Sequence, residues 1–309
     1  MMTRESIAGL SHKEWLRLRK SGIGGSDAGA ICGVSPYSSA MSVYREKTSE
    51  TVEDVDNEAM RQGRDLEDYI AKRFVEATGL KVRRSNFMYR SVEHPWMIAD
   101  VDRMIVGEDA GLECKTASAY NADKWKDGEI PPHYMIQCYH YMAVTGKRSW
   151  YIAVAILGKE FKYARIEWDD ELIQNLIKIE ADFWNNHVIP QVMPNPDGSK
   201  NSDEVLEKYF HVSRKGAEIP LIGFDEQLSR REELRVLIDK LELEKRQIEQ
   251  QIKLYMQDNE TAANDRYRVT WMTVSMARLD TKLLKEKEPA IYQEYLKTSS
   301  SRRFTVSAA

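Results

Sequence analysis

The stretch Ile98-Ala-Asp-Val-Asp102-Arg, followed by Leu112-Glu113-Cys-Lys115, constrains this 309-residue chain more than any other part of it. One carboxylate stands eleven residues before a Glu-x-Lys triplet, with the turn formers Gly107, Glu108, Asp109 and Gly111 between them. Residues 97–106 and 112–117 read as the two arms of a β-hairpin, because β-branched and apolar residues flank a Gly/Asp turn. Side chains alternate along a strand, so Glu113 and Lys115 share one face while Leu112 and Cys114 take the other. If Asp102 faces the same way, two carboxylates and an ammonium converge. Such a trio suits metal-assisted hydrolysis. A hard cation such as Mg²⁺ needs only one or two carboxylates besides substrate phosphate. A metal pair activates water and stabilises the leaving oxygen of a phosphodiester. The adjoining lysine orients or deprotonates that water and offsets charge on phosphorus. The competing reading is a surface hairpin with ordinary charges, and the neighbouring segments weigh against it.

The first neighbour is Trp15-Leu-Arg-Leu-Arg19-Lys-Ser-Gly-Ile-Gly24-Gly25-Ser26-Asp27, a basic helix running into a Gly-Gly-Ser turn, with a second helix expected from Asp27. Glycines allow close backbone approach and a helix N-terminus attracts phosphate, so Arg19 and Ser26 are placed to grip one phosphate group. A plain turn with Ser26 as N-cap is the alternative. The second neighbour, residues 57–78, is helical, with Leu66, Ile70 and Phe74 as its buried stripe and Glu67 beside it. The third is a helix from His133 to Gly146 that leads into a strand at 149–157. There Gln137 and Tyr141 are spaced to share a face, while Tyr134 and Tyr141 also suit core packing.

Taken in order, Trp15…Arg19…Gly-Gly-Ser26, Gly63-Arg-x-x-Glu67, Asp102-Arg, Glu113-x-Lys115 and Gln137…Val144-Thr-Gly resemble the λ-exonuclease/YqaJ-type viral recombinase nucleases, a branch of the PD-(D/E)XK superfamily. The resemblance covers roughly residues 12–160. It implies an α/β fold with a mixed central sheet flanked by helices. It implies that Glu67, Asp102 and Glu113 bind the metal, that Lys115 activates water, and that Arg19 and Ser26 hold a terminal 5′-phosphate with Gln137 and Tyr141 lining the pocket. The proline-aspartate of the family signature is missing, and Asp100 and Asp102 have equal strand parity. Asp102 is preferred because Arg103-Met-Ile after it matches the family, with Asp100 kept as an auxiliary ligand.

The implied activity is Mg²⁺-dependent, Mn²⁺ substituting, resection of double-stranded DNA ends from the 5′ side, leaving 3′ single strands for phage-type recombination. The implied partners are DNA ends, a single-strand annealing recombinase and other copies of the chain in a trimeric ring. An endonuclease with the same metal site, and a non-catalytic DNA-end-binding or assembly protein, are the rival readings.

The 42% hydrophobic content supports a real core. No apolar run approaches membrane-spanning length and no signal-peptide pattern opens the chain, so a soluble protein of the bacterial cytoplasm, phage or prophage encoded by resemblance, is expected. Three isolated cysteines argue against a disulfide framework and against a four-cysteine iron–sulfur cluster. A net charge of −4 is unfavourable for DNA, but Arg4, Lys13, Arg17, Arg19 and Lys20 cluster near the proposed phosphate grip, and Lys72, Arg73, Lys81, Arg83 and Arg84 form a second basic group. Acidic excess lies at 50–56 and 169–180.

A nuclease domain over 1–215 and a C-terminal appendage over 216–309 are expected, with prolines 190, 194 and 196 marking the boundary region. The helix before it, ending at Trp184, is expected to pack on the sheet through Ile173, Leu176, Ile177 and Ile179. The appendage opens with a charged helix over 225–258 in which Leu234, Leu241, Ile248 and Tyr255 recur every seven residues, supported by Ile238 and Ile252. That seam is expected to pack within its own appendage. A strand at 267–274, a helix from about Thr281 interrupted at Pro289, and a basic-aromatic end at Arg302-Arg303-Phe304 complete the chain.

Overall fold

The computed structural model describes residues 1–52 and 56–307. The middle of the acidic run at 50–56 lies outside them. The chain divides into two compact units, Met1–His211 and Val212–Ala309.

The first unit opens with β1 (Met2–Ser6) and α1 (His12–Lys20). A reciprocal capping box starts α1, with the Glu14 N–H donating to Ser11 Oγ and the Ser11 N–H donating to Glu14 Oε2. Next come α2 (Gly25–Ile31), α3 (Ala40–Thr48) and the 21-residue α4 (Glu58–Thr78). Asn57 caps α4 and Gly79 ends it at φ 74°. α2 begins at Gly25, two residues before the expected start, because Gly24 is its N-cap and the Asp27 carboxylate accepts the Gly24 N–H.

β2 (Val82–Arg84), β3 (Phe87–Ser91), β4 (Ile98–Asp100), β5 (Arg103–Ile105) and β6 (Ala110–Ala117) follow. After a 3₁₀ segment at Ala119–Gly128 come α5 (Pro132–Thr145), β7 (Ser149–Ile156), β8 (Glu160–Glu167) and α6 (Asp170–Phe183). A π-turn at Trp184–Val188 and α7 (Lys200–Tyr209) close the unit.

The central sheet has the order β2-β5-β6-β7-β8, parallel between β6 and β7 and antiparallel elsewhere, so it is mixed as expected. β7 is buried at every position, as a strand covered on both faces must be. On one face Ile70 and Phe74 of α4 pack with Leu112, Tyr151 and Ala153, realising the predicted stripe. On the other face α5 supplies Cys138, Tyr141 and Met142 to a core with Trp150, Ile152 and Val154. Gly111 is required here. A Cβ at that position would lie 2.3 Å from the Trp150 ring, which is fully buried.

The expected first hairpin arm is broken. β4 pairs with β3 in a separate sheet of order β1-β3-β4, whereas β5 pairs with β6, so only β5 and β6 form the hairpin. The division falls at Val101-Asp102. Ile173 and Leu176 of α6 join the core of Trp150, Ile152 and Val154, with Ile177 packed against it, as expected of that helix. The helix packs on α5 and α2, but Ile179 is exposed, because Glu180 takes the buried position at the C-terminal end of the stripe. The proline-rich boundary region contains α7, which packs on α3 through buried Ser202 and Val205.

The second unit consists of α8 (Asp225–Met256), a β9 (Thr261–Ala263) and β10 (Arg268–Thr270) hairpin, and the short α9 (Thr281–Lys287) and α10 (Pro289–Tyr295). The heptad seam of α8 is not packed within the appendage. Leu234, Ile238, Leu241, Ile248 and Tyr255 are exposed, because two seven-residue helices and a hairpin of two three-residue strands do not cover a 32-residue helix. Among the described residues no helix is long and apolar enough to cross a membrane.

Candidate active site

Asp102 sits at the break between β4 and β5, where its carbonyl accepts the Ser85 N–H at 3.1 Å. Its carboxylate Oδ2 accepts the Cys114 N–H at 2.7 Å, which fixes the side chain beside β6. Glu113 and Lys115 project from β6 towards α5, the face opposite Leu112. Lys115 Nζ lies 2.6 Å from Glu113 Oε1, and Gln137 Nε2 donates to the same oxygen at 2.9 Å. Gln137 Nε2 also reaches the Tyr141 hydroxyl at 2.7 Å, as their shared helix face allows. Glu113 Oε2 is buried and has no hydrogen-bond partner.

Burial, with the Glu113 and Glu67 charges adding to it, pushes the Asp102 carboxyl well above the usual carboxylate range. Burial also raises Glu113, against the pull of Lys115. Lys115 moves the other way from a buried amine. Desolvation opposes its charge, but Glu113, Tyr134 and Asp102 outweigh it and hold the ammonium above its ordinary value. Lys115 is therefore a cation near neutral pH, and its ammonium lies 4.8 Å from the centre of the Tyr134 ring.

The other expected carboxylates lie around this centre with partners of their own. Glu67 is gripped by Arg103, which also holds Asp68, and Arg84 stands 3.6 Å from it. Its charge still acts on Asp102 and Glu113. Asp100 accepts the Trp15 indole N–H at 2.7 Å. Among the described residues no three His, Cys, Asp or Glu side chains form a ready-made metal cage. What converges is Asp102 and Glu113. Two crowded, largely desolvated carboxylates with an orphaned oxygen fit a hard divalent cation, whose charge would relieve both strains.

A cavity of about 550 Å³ adjoins this centre, lined by Arg19, Ser26, Lys115, His133, Tyr134 and Gln137 among others. Arg19 Nη2 donates to Ser26 Oγ at 3.1 Å, so the two expected phosphate-gripping groups do come together. Tyr141 is buried instead of lining the cavity. Its ring is tilted against Trp150, with centres 5.2 Å apart, and supports the turn from beneath. A Cβ on Gly25 would come within 2.6 Å of the Tyr141 ring.

Two further residues, Asp27 and Lys47, hold the grip in place. Asp27, 4% exposed, holds Arg19 at 3.4 Å and the Lys47 ammonium at 2.7 Å. Burial opposes its charge, but Lys47 and Arg19 keep its carboxyl below the usual range. An acidic residue at the third position of a helix after Gly24 was a visible signal for Asp27. Nothing local marks Lys47. His133, also unremarked as a site residue, is pushed down to about 4 by burial and then by Lys115 and Lys124, so it is a neutral imidazole at the cavity wall.

Asp102, Glu113 and Lys115 thus stand together on a mixed sheet flanked by helices, beside the cavity lined by Arg19 and Ser26. A family model of the YqaJ-like viral recombinase domain matches residues 14–148. Over 301 residues the chain is 39% identical to the uncharacterized protein YqaJ of Bacillus subtilis (strain 168), covering 96% of this chain and 94% of that one. The chain belongs to the YqaJ family. Among solved structures it resembles the alkaline exonuclease LHK-Exo of Laribacter hongkongensis, with TM-score 0.50 and 20% identity over 58% of this chain and 93% of that enzyme. LHK-Exo in complex with dAMP gives TM-score 0.51 and 19% identity over 65% and 99% of the two chains. That likeness is one of fold.

Proposed function

We propose that this protein is a metal-dependent deoxyribonuclease that resects double-stranded DNA ends in the 5′-to-3′ direction, leaving 3′ single strands for phage-type recombination. The observation that carries the reading is the position of Lys115. It is bonded to the buried Glu113 on one side and lines the cavity holding Arg19 and Ser26 on the other. The group that would act on a phosphodiester and the groups that would hold a phosphate therefore face one space. The fold shared with an alkaline exonuclease supports the same reading.

In this proposal Asp102 and Glu113 hold Mg²⁺ or Mn²⁺, with Glu67 the third carboxylate within electrostatic reach. When bound, the cation supplies a Lewis acid for the phosphodiester and lowers the pKa of water. Lys115, already protonated, orients the attacking water and offsets charge developing on phosphorus. Glu113, Tyr134 and Asp102 hold its ammonium above the ordinary value, which suits this electrostatic part. Gln137 fixes the Glu113 carboxylate, and Tyr141 fixes Gln137. Arg19, aligned by Asp27, and Ser26 receive the terminal 5′-phosphate as a charge-assisted contact. The unit Met1–His211 contains all of these groups, and we assign it the chemistry, with residues 216–309 as an appendage and an annealing recombinase as the consumer of the product.

The test is digestion of a linear duplex labelled separately at each end, carrying 5′-phosphate or 5′-hydroxyl termini, in Mg²⁺ or EDTA. Loss of label first from 5′-phosphorylated ends, in Mg²⁺ only, is expected. Internal cleavage of circular duplex would refute the exonuclease assignment, and no cleavage in Mg²⁺ would refute the nuclease.

A further inference from the structure

The helix α8 carries an apolar seam that its own unit leaves open. Leu234, Leu241, Ile248 and Tyr255 recur every seven residues, with Ile238 and Ile252 filling the intervening turns. Exposure runs from 41% at Leu234 to 83% at Tyr255, and only Ile252 is half-buried. An apolar period of 3.5 on an open helix is the requirement for supercoiling against another helix.

We propose that α8 pairs antiparallel with the α8 of a second copy of this chain, about a two-fold axis near Leu243. With Leu234, Leu241, Ile248 and Tyr255 at the d positions, the a positions hold Arg231, Ile238, Lys245 and Ile252. A charged residue at a specifies register and oligomer state, and two charged a positions disfavour the drier core of a three-stranded bundle.

Charge selects the direction. A parallel, in-register pair sets Arg231 and Lys245 against their own copies, Arg230 beside Arg235, and Glu244 beside Glu249, all of like sign. The antiparallel register sets Ile238 against Ile248 of the second copy, Ile252 against Leu234, and Lys245 against Leu241. Arg231 then lies over the Tyr255 ring, a favourable cation–π arrangement. Arg235 meets Glu249 on both sides of the axis. The opposing term is a group of glutamates at the axis, Glu242 and Glu244 of each copy, with the two Lys245 ammoniums among them. In the single chain Arg235 pairs with Glu232 and Asp239, and Lys245 stands 3.7 Å from Glu249. Such exposed pairs exchange at little cost. An isologous contact of this kind closes on itself, so it joins two chains and does not propagate.

Light scattering during gel filtration compares the full chain with a Leu241→Asp/Ile248→Asp variant. Both positions are exposed in the single chain, so the substitutions do not touch a core. Whatever other contacts the protein makes, the full chain is expected to have twice the mass of the variant. Equal masses, or a threefold ratio, would overturn the pairing. A second measurement does not depend on the variant's solubility. Residues 235 and 249 are separated by fourteen positions, about 21 Å along one helix, beyond disulfide reach within a chain. An Arg235→Cys/Glu249→Cys chain is expected to oxidise to a covalent dimer, and neither single variant to do so. Failure of the double variant to cross-link would exclude the antiparallel register.

Discussion

At the scale of single residues, the site is a balance of charges held out of water. Lys115→Ala removes the cation between Glu113 and the cavity. Hydrolysis should fall roughly 100- to 1000-fold, as for loss of one preorganised transition-state group, about 3–4 kcal/mol. DNA affinity should change little, since one ammonium is a small part of the phosphate contact. Rates measured under single-turnover conditions within a few-fold of the parent would remove Lys115 from the mechanism. Glu113→Gln keeps the shape of the side chain and its contact with Gln137 but removes a metal-binding charge. Mg²⁺ should raise the melting temperature of the parent by linkage and leave the variant unmoved. An equal Mg²⁺-induced rise in both would shift the metal towards Asp100. Arg19→Ala should erase the preference for 5′-phosphate over 5′-hydroxyl ends while hydrolysis itself persists. A retained preference would place the phosphate grip elsewhere. The trio was legible in the sequence because strand parity is local. Glu113 and Lys115 need only alternation along β6, and Asp102, in the break between β4 and β5, needs the one turn that brings it alongside. The Asp27–Lys47 pair was not legible, because its partners lie twenty residues apart and ordinary lysines sit in water.

At the scale of elements, two joints position the site. One is the β5–β6 hairpin, where Met104 faces Gly111 and Trp150 crosses the glycine. Gly111→Ala should cost about 1–3 kcal/mol by overpacking, read from chemical denaturation, and should lower activity with it, because the same strand carries Glu113. A neutral effect would show that the Trp150 ring can move aside. The other joint is the buried pair of His140 on α5 and Glu180 on α6, 2.8 Å apart, with His140 Nε2 at 2.9 Å from the Ile98 carbonyl on β4. Burial opposes the His140 charge, but Glu180, the Ile98 carbonyl and, more distantly, Asp27 raise its pKa above the ordinary value. The folded state then holds a proton that the unfolded chain releases near pH 6.5. The stabilisation is complete below that pH and is lost as pH rises through the elevated value. The melting temperature should therefore decline across that window, and Glu180→Gln should flatten the decline. An unchanged slope in the variant would assign the dependence to other groups. Helices with one apolar stripe, such as α4, were readable from periodicity alone. The split of the first hairpin arm into β4 and β5 was not, because period-two patterning does not say which strand lies alongside. α7 was hidden by the prolines around it, and Glu180 broke the reading of α6 at Ile179 because a buried carboxylate mimics a polar, outward position.

At the scale of the whole molecule, a net charge of −4 means that the proposed engagement of DNA rests on local basic surface, and the groups assigned to the chemistry all lie in the unit Met1–His211. A chain ending at His211 should therefore keep Mg²⁺-dependent digestion within a few-fold of the parent when assayed on short duplexes. A folded but inactive truncation, judged by circular dichroism, would give the appendage a part in the chemistry itself. The hairpin connects that unit's folding to its hazard. Asp102 reaches its place by accepting a backbone N–H of the next strand, a bond that exists only in one alignment of β5 with β6. A slip of one residue would send Glu113 and Lys115 to the α4 side and leave the aspartate without its donor. For an enzyme of the proposed activity, newly made or heat-damaged chains are thus chemically silent, and only molecules that have reached the correct pairing can cut the genome around them.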